Sequence, residues 1–295
     1  MTTSNNPIMT AALQVGPVDY RDLGAGPTVV FLHGVLMAGD VWQPVADQLS
    51  DSYRCIIPTL PLGAHRTAVH PDADLSLDGF GHLVLDFLEK LDLPDVTLVG
   101  NDHAAVLAAA VLPSPRIARL VITSCEAFDN YPPGLPGKNL RLTALLPGGL
   151  LGVAHLMRIR ALRRLPMTFG WLSKQPLPDD LVDGWLRPLR NNAAVRRDLR
   201  RYSAGARRRH MTSICERLGA VKVPTLVVWT PEDRIQRVEH GARLAETIPG
   251  AQLKQIDDSY TLMMRDQPDR LAWLLRDFLA QKVVALPSDS SPERR

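Results

Sequence analysis

Short apolar runs typical of buried β-strands alternate with helix-like segments through the first half of the chain. The strand-like runs are "TVVFLHG" (28–34), "YRCIIPT" (53–59), "DVTLVG" (95–100) and "RLVITSC" (119–125). The intervening helical patterns are "DVWQPVADQL" (40–49), "LDGFGHLVLDFLEKLDL" (77–93) and residues 104–112. This alternation predicts an α/β fold with a mostly parallel sheet, right-handed crossovers and flanking helices.

The strand pattern stops at about residue 130 and returns only after residue 218. Between them lie arginine-rich helical pieces that Pro and Gly interrupt, as in "YPPGLPG" and "LPDDLVDG". Strand patterns then return at 224–230 and 251–256, with helical patterns at about 237–248 and from 268 to about 282. We therefore expect an α/β core made of residues 1–129 and 219–295, with a helical cap inserted at residues 130–218.

Composition is that of an ordinary globular protein, with 45% hydrophobic and 22% charged residues. The cysteines at 55, 125 and 215 lie far apart, so their spacing predicts neither a disulfide framework nor a zinc site. The N-terminus lacks a signal-peptide pattern. The longest apolar stretch, "LTALLPGGLLGVAHLM" (142–157), is broken by Pro and Gly and should not span a bilayer. We expect a cytoplasmic protein without metal or cofactor.

Positive charge is concentrated in the predicted cap. Residues 131–217 contain 17 Lys and Arg against 5 Asp and Glu, although the net charge of the whole chain is only +3. Such an excess is typical of solvated helix faces, and it also suits an anionic ligand or a membrane surface. Few aromatic residues lie among the arginines, so we expect no nucleic-acid partner. A homodimer is compatible with the sequence.

The stretch "LVGNDHAAV" (98–106) predicts a sharp turn from a strand into a helix, with Asp102 at its tip. Such a tip side chain projects above the C-terminal edge of the sheet, and its neighbours must be small so that strand and helix can approach. Gly100 and Ala104 meet that demand. The backbone N–H of His103 opens the helix beside the same space. The tip therefore suits a nucleophile better than a structural residue.

This elbow, together with "FLHG" at the end of an earlier strand and Trp42 on the next helix, resembles the α/β-hydrolase fold over roughly residues 10–280. Because the tip is Asp and no G-x-S-x-G occurs, the chain looks like the branch that includes epoxide hydrolases and haloalkane dehalogenases. The resemblance implies that Asp102 attacks an electrophilic carbon and forms an ester. It also implies that the amides of Val35 and His103 hold the oxyanion of the later hydrolysis.

In the resembled enzymes, hydrolysis of the ester needs a water activated by a histidine that an acid orients. The acid would be Asp233, after the strand at 225–229, or Glu126, after the strand at 119–124. The histidine should follow the last strand in a D-S-x-H-like turn. This sequence has "DSYT" there, so Thr261 occupies the position, and threonine cannot accept a proton near neutral pH.

Three consequences of Thr261 stay open at the level of sequence. Another histidine, namely His103, His155 or His210, could act as the base. Alternatively, Asp102 could serve as a general base in a dry pocket, as in a lyase, isomerase or cyclase. The protein could also be a catalytically silent member that binds a ligand.

Further residues bear on the substrate. Epoxide hydrolases use cap tyrosines to bind the epoxide oxygen, and Tyr131 and Tyr202 lie in the predicted cap. We take these tyrosines, Trp42 and His155 as candidate substrate-binding residues. The positions at which dehalogenases place halide-binding residues hold His103 and Val35 here. The sequence thus favours a hydrolase that acts on an apolar small molecule through Asp102 and is nearest in type to an epoxide hydrolase.

Overall fold

Eight strands form a single sheet in the computed structural model, which describes residues 7–281. The strands are β1 (Met9–Leu13), β2 (Gly16–Leu23), β3 (Thr28–Leu32), β4 (Arg54–Pro58), β5 (Val96–Asp102), β6 (Ile117–Cys125), β7 (Thr225–Trp229) and β8 (Gln252–Gln255). Their order across the sheet is β1-β2-β4-β3-β5-β6-β7-β8. Strands β3 to β8 pair in parallel, whereas β2 pairs antiparallel with both β1 and β4.

The predicted α/β fold is confirmed, and the six strand patterns correspond to β3 through β8. The N-terminal hairpin of β1 and β2 was not predicted. Its residues carry a mixed polar pattern, and β2 is held by pairing with β4, which lies more than thirty residues further along the chain. The ends of the predicted core, residues 1–6 and 282–295, lie outside the described residues.

Eleven α-helices surround the sheet within the described range. They are α1 (Gln43–Leu49), α2 (Leu77–Lys90), α3 (Ala105–Ala110), α4 (Gly134–Leu145), α5 (Gly149–Leu156), α6 (Asp179–Asn191), α7 (Ala193–Gly205), α8 (Arg208–Arg217), α9 (Val238–Thr247), α10 (Met263–Asp266) and α11 (Pro268–Ala280). Short 3-10 helices occupy Gly39–Trp42, Arg160–Arg164, Phe169–Trp171 and Leu218–Ala220. No helix in residues 7–281 is long and apolar enough to cross a membrane.

Strand β5 lies at the centre of the hydrophobic core. All seven of its residues are buried, and because alternate side chains point to opposite faces, the sheet must be covered on both sides there. Helices α2 and α3 pack against each other, as do α1 and α11. The central strand thus holds its C-terminal end, where Asp102 lies, at a fixed place in the fold.

Helices α4 to α7 contact one another along the chain, and α4 also packs against α7. These helices fall within the predicted cap, residues 130–218. The last helix of that range, α8, contacts α2 and α3 of the core. Above the C-terminal edge of the sheet, residues of α4, α5, α6 and α7 enclose a cavity with core residues at its floor.

Candidate active site

Asp102 occupies a strained backbone position at the end of β5. Its φ angle is 60°, in the left-handed region that L-residues other than Asn and Asp rarely adopt. The pairing of β5 with β6 shifts register between Asn101 and Asp102, so the strand ends abruptly there. A Cβ atom on Gly100 would lie 2.3 Å from the Cβ of Val106 in α3. Glycine at position 100 therefore lets the helix fold back onto its own strand.

The carboxylate of Asp102 accepts a hydrogen bond on each oxygen. The backbone N–H of Val35 donates to Oδ2 at 3.2 Å, and the side-chain amide of Gln236 donates to Oδ1 at 3.1 Å. Gly34 must lack a side chain, because a Cβ there would lie 2.0 Å from Oδ2. Burial raises the pKa of Asp102 to about 6; repulsion from Asp233 also raises it, and the two hydrogen bonds oppose the shift.

The backbone amide of His103 is not free to hold an oxyanion, in contrast to the expectation from the sequence. Its backbone N–H donates to the carbonyl of Asn101 at 2.7 Å, so it is engaged within the turn. The imidazole is fully buried, with its ring centroid 4.8 Å from that of Phe80 and 5.3 Å from that of Tyr202. Burial lowers its pKa to about 3, so the ring is neutral at physiological pH. Val35 is thus the amide that contacts Asp102.

Glu126 lies beside the elbow as a buried acid. Its backbone N–H donates to the carbonyl oxygen of Asp102 at 2.8 Å, and its carboxyl accepts the N–H of Ala104 at 3.3 Å. Burial, followed by repulsion from Asp102, raises its pKa well above the ordinary value. Two buried carboxyl groups, Asp102 and Glu126, therefore line one cavity and repel each other when both are ionised.

Asp233 and Thr261 are hydrogen-bonded to each other. The hydroxyl of Thr261 donates to Oδ1 of Asp233 at 2.8 Å, and the same oxygen accepts the N–H groups of Ile235 and Gln236. Burial raises the pKa of Asp233 to about 6. The side chain of Asn101 donates to the carbonyl of Thr261 at 2.8 Å and so ties this loop to the end of β5. Thr261 thus donates to Asp233 the hydrogen bond that a histidine at this position would donate to the carboxylate.

Gln236 is a site residue that sequence reasoning missed. It is buried, and it joins Asp102 to Asn130, whose amide donates to the Gln236 carbonyl oxygen at 3.3 Å and to the backbone carbonyl of Ile235 at 3.0 Å. The only feature of the sequence that could have identified Gln236 is its position three residues after Asp233, in the loop that follows β7. That loop folds around the Asp233 carboxylate, which brings the Gln236 side chain to Asp102.

The cavity above Asp102 has a volume of about 430 Å³. Asp102, Glu126 and Val35 lie at its floor, and its walls are mostly apolar side chains of the cap, including Leu140, Val153, Met157, Phe169 and Leu186. No histidine side chain lines it within the described residues, so none of the three candidate bases faces the cavity. Residues 7–281 also contain no cluster of His, Cys, Asp and Glu that could hold a metal ion.

Of the four candidate substrate-binding residues, only Tyr202 lines the cavity, and two of the others, Trp42 and His155, lie in quite different surroundings. The indole of Trp42 is fully buried, donates to the carbonyl of Leu32 at 3.1 Å and packs on Phe31, so it belongs to the core. His155 is exposed, because the helical phase of α5 turns Val153 toward the cavity and His155 toward solvent. The expectations for Trp42 and His155 as substrate contacts are therefore wrong.

The two tyrosines are close to the carboxyl groups. Tyr202, on α7, lines the cavity and shares a hydrogen bond with Tyr131, which is buried behind it. Burial raises the pKa of both phenols, and repulsion from Glu126, when that carboxyl group is ionised, adds to the shift, so both phenols are protonated at neutral pH. The floor of the cavity thus combines two carboxyl groups with a phenol.

A strand–helix elbow with an acid at its tip, on a parallel sheet beneath a helical cap, defines an α/β-hydrolase-fold protein. Residues 29–272 match the model of the Alpha/beta hydrolase family, and the chain belongs to that family. A 2-hydroxy-6-oxononadienedioate/2-hydroxy-6-oxononatrienedioate hydrolase from Cupriavidus pinatubonensis is 30% identical over 256 residues, which cover 81% of this chain and 83% of that protein.

Two further comparisons agree with this assignment. A 2-hydroxy-6-oxo-6-phenylhexa-2,4-dienoate hydrolase from Burkholderia cepacia is 24% identical, covering 89% of this chain and 91% of its own. The crystal structure of an alpha/beta hydrolase fold protein from Burkholderia ambifaria superposes with a TM-score of 0.72 at 21% identity, covering 94% of this chain and 98% of that one. The structural likeness supports the fold, and the hydrolase names of the relatives support a hydrolase.

Proposed function

We propose that the protein is an enzyme that acts on an apolar small molecule through Asp102 as the nucleophile, nearest in type to an epoxide hydrolase. The observation that carries this proposal is the Asp102 carboxylate on the floor of a mostly apolar cavity, with proton donors beside it. No hydroxyl or thiol nucleophile stands at the elbow tip. The relatives named as dienoate hydrolases support the broader class of hydrolase, not the epoxide itself.

Ring opening of an epoxide fits these groups. A carboxylate oxygen of Asp102 forms a bond to the epoxide carbon while the ring C–O bond breaks and its electron pair goes to the ring oxygen. That oxygen takes a proton from Glu126 or from the phenol of Tyr202, both of which line the cavity. Such proton donation contributes about 10²–10⁴-fold to the rate. The product of this step is an ester of Asp102.

Hydrolysis of that ester is the step that the chain supports poorly. Asp233 is in place, but its partner is the hydroxyl of Thr261, which cannot act as a base near neutral pH. We therefore expect the ester to persist far longer than in an enzyme with an imidazole, by about 10²–10⁴-fold.

Intact-mass spectrometry with reactive alkyl and aryl epoxides tests the proposal. We expect wild-type protein to gain the mass of one epoxide and Asp102→Asn to gain none. Asp95→Asn is a matched control, because Asp95 also has a positive φ angle but is exposed and lies just before β5, at the opposite end of the strand from the elbow. An adduct that forms equally on Asp102→Asn, or no adduct with any epoxide, contradicts the nucleophilic role.

Restoring a base tests the assignment of position 261. In Thr261→His, an imidazole hydrogen-bonded to Asp233 should release the adduct as a diol, about 10²-fold or more faster than in wild type. Thr261→Ser keeps the hydroxyl donor to Asp233 and should leave the adduct trapped. Circular dichroism and the Tm of both variants confirm folding, because position 261 is fully buried. A trapped adduct in folded Thr261→His contradicts the assignment.

A second candidate function uses Asp102 as a general base in a lyase, isomerase or cyclase. The pKa of Asp102 near 6, with the raised pKa of Glu126 beside it, favours this role because a base and an acid then face one substrate. Carbonyl substrates with an acidic C–H bond, incubated in D₂O, would then exchange that hydrogen in an Asp102-dependent way without forming an adduct. If the protein shows neither hydrogen exchange nor an adduct, the result favours ligand binding as the function.

A further inference from the structure

The cap displays an unusual concentration of exposed apolar side chains. Among the described residues, eleven large hydrophobic side chains are strongly exposed, and seven of them fall within one stretch of the cap. We call these seven the cap apolar surface: Leu135, Leu142, Leu145, Leu146, Leu156, Ile159 and Leu165. Their exposed fractions range from 47% to 60%. Isolated exposed leucines are ordinary, but a concentration of this kind marks an interaction site.

The same segments that carry the cap apolar surface also line the cavity. In α4, Leu140 and Thr143 face the cavity, whereas Leu142 and Leu145 are exposed on the other side of the helix. Next to α5, Met157 lines the cavity while Leu156 is exposed. This part of the cap is therefore apolar on both sides, and its outer side is not needed to build the cavity.

Charge around the cap apolar surface has one sign. Residues 130–178 contain no Asp or Glu and seven Lys and Arg. Two of the seven, Arg163 and Lys174, are neutralised by carboxylates from outside this stretch, and Arg160 pairs with Asp179. Within the described residues, the remaining four have no ion pair; Arg141 lines the cavity, whereas Lys138, Arg158 and Arg164 are exposed. Exposed leucines are thus interspersed with uncompensated positive charges.

We propose that the cap apolar surface docks onto the surface of an anionic phospholipid bilayer. Leucines that enter the headgroup–acyl boundary, with arginines and lysine on the anionic headgroups, are the pattern of an interfacial membrane contact. A second copy of this chain fits less well, because a twofold contact would bring two acid-free, positively charged surfaces together. The docking does not depend on the chemistry proposed for Asp102.

Co-sedimentation with vesicles tests the docking. We expect wild-type protein to bind vesicles of phosphatidylcholine mixed with phosphatidylglycerol, to bind phosphatidylcholine alone at least about tenfold more weakly, and to dissociate as salt screens the charges. Leu142→Ser should weaken binding by about tenfold, since it removes one inserted side chain. Arg158→Gln and Arg164→Gln should each weaken it by about fivefold.

Matched controls make the result specific. Leu253→Ser changes an exposed leucine on β8, and Arg209→Gln changes an exposed arginine on α8, so neither should alter binding. Adduct formation with a water-soluble epoxide should be unchanged in Leu142→Ser, which separates failure of docking from failure of the catalytic proposal. Absence of wild-type binding, or equal loss in the controls, overturns the proposal. A dimer in light scattering that Leu142→Ser dissociates, without vesicle binding, assigns the surface to self-association instead.

Discussion

At the scale of single residues, the reactivity of the site depends on how its surroundings set the charge of Asp102. Burial favours the neutral carboxylic acid, whereas the donors from Val35 and Gln236 favour the carboxylate, and the result is a pKa of about 6. The group is therefore mostly ionised at neutral pH and retains useful basicity and nucleophilicity. Asp233 acts in the opposite direction to the two donors, because its negative charge raises the pKa of Asp102.

The rate of adduct formation should consequently follow the ionisation of Asp102. Only the carboxylate attacks, so we expect the rate to rise about tenfold per pH unit below pH 6 and to level off above it. Gln236→Leu removes a donor to the charged form and should move the midpoint up by about one unit. Asp233→Asn removes the repelling charge and should move it down. Midpoints measured from single-turnover mass spectra check both shifts, and shifts of the same sign would contradict this account.

At the scale of elements, the elbow depends on how closely α3 approaches β5. Gly100→Ala would place a Cβ atom 2.3 Å from that of Val106, so the helix must move away from its strand. We expect the free energy of unfolding to fall by about 1–3 kcal/mol, and adduct formation to slow because Asp102 moves with the helix. Chemical denaturation measures the first effect and single-turnover mass spectrometry the second.

Gly184→Ala provides the control for that substitution. Gly184 is an exposed glycine inside α6 with no atom near the place that a Cβ would take. Alanine there should stabilise the protein by up to about 1 kcal/mol, because it favours the helix. Equal destabilisation in both variants would show that the close approach of α3 to β5 is not the reason why glycine is required at position 100.

Elements that depend on contacts between residues close in the chain were predicted from the sequence, and those that depend on contacts between distant residues were not. The elbow and strands β3 to β8 were predictable because local periodicity and small residues encode them. The hairpin of β1 and β2 was not, because its partner β4 is distant in the chain. The prediction for His155 was wrong because the rotation of α5 about its own axis, which decides which side chains face the cavity, was not known from the sequence. Gln236 was missed because its contact with Asp102 joins two loops 134 positions apart.

At the scale of the whole molecule, the cap is held together partly by one buried arginine. Arg163 is only 5% exposed, and it donates to the carbonyl of Met157 and to the carboxylates of Asp179 and Asp183 at 2.6–3.0 Å. It thus joins the end of α5 to α6 across the 3-10 turn. All three of these partners lie in the cap, so the hydrogen bonds of Arg163 stabilise the cap and not the sheet.

Arg163→Met should therefore loosen the cap while leaving the sheet intact. The loss removes three hydrogen-bonded partners at once, but both carboxylates are more than one-third exposed, so screening limits the cost to about 2 kcal/mol. Native-state hydrogen exchange should show faster exchange in α5 and α6, with β5 and β6 unchanged. Arg160→Met, which breaks a largely exposed pair with Asp179, should change exchange by less than about 1 kcal/mol. Faster exchange throughout β5 in Arg163→Met would mean instead that cap and sheet open as one cooperative unit. The residues at the floor of the cavity would then have the same free energy of opening as the cap.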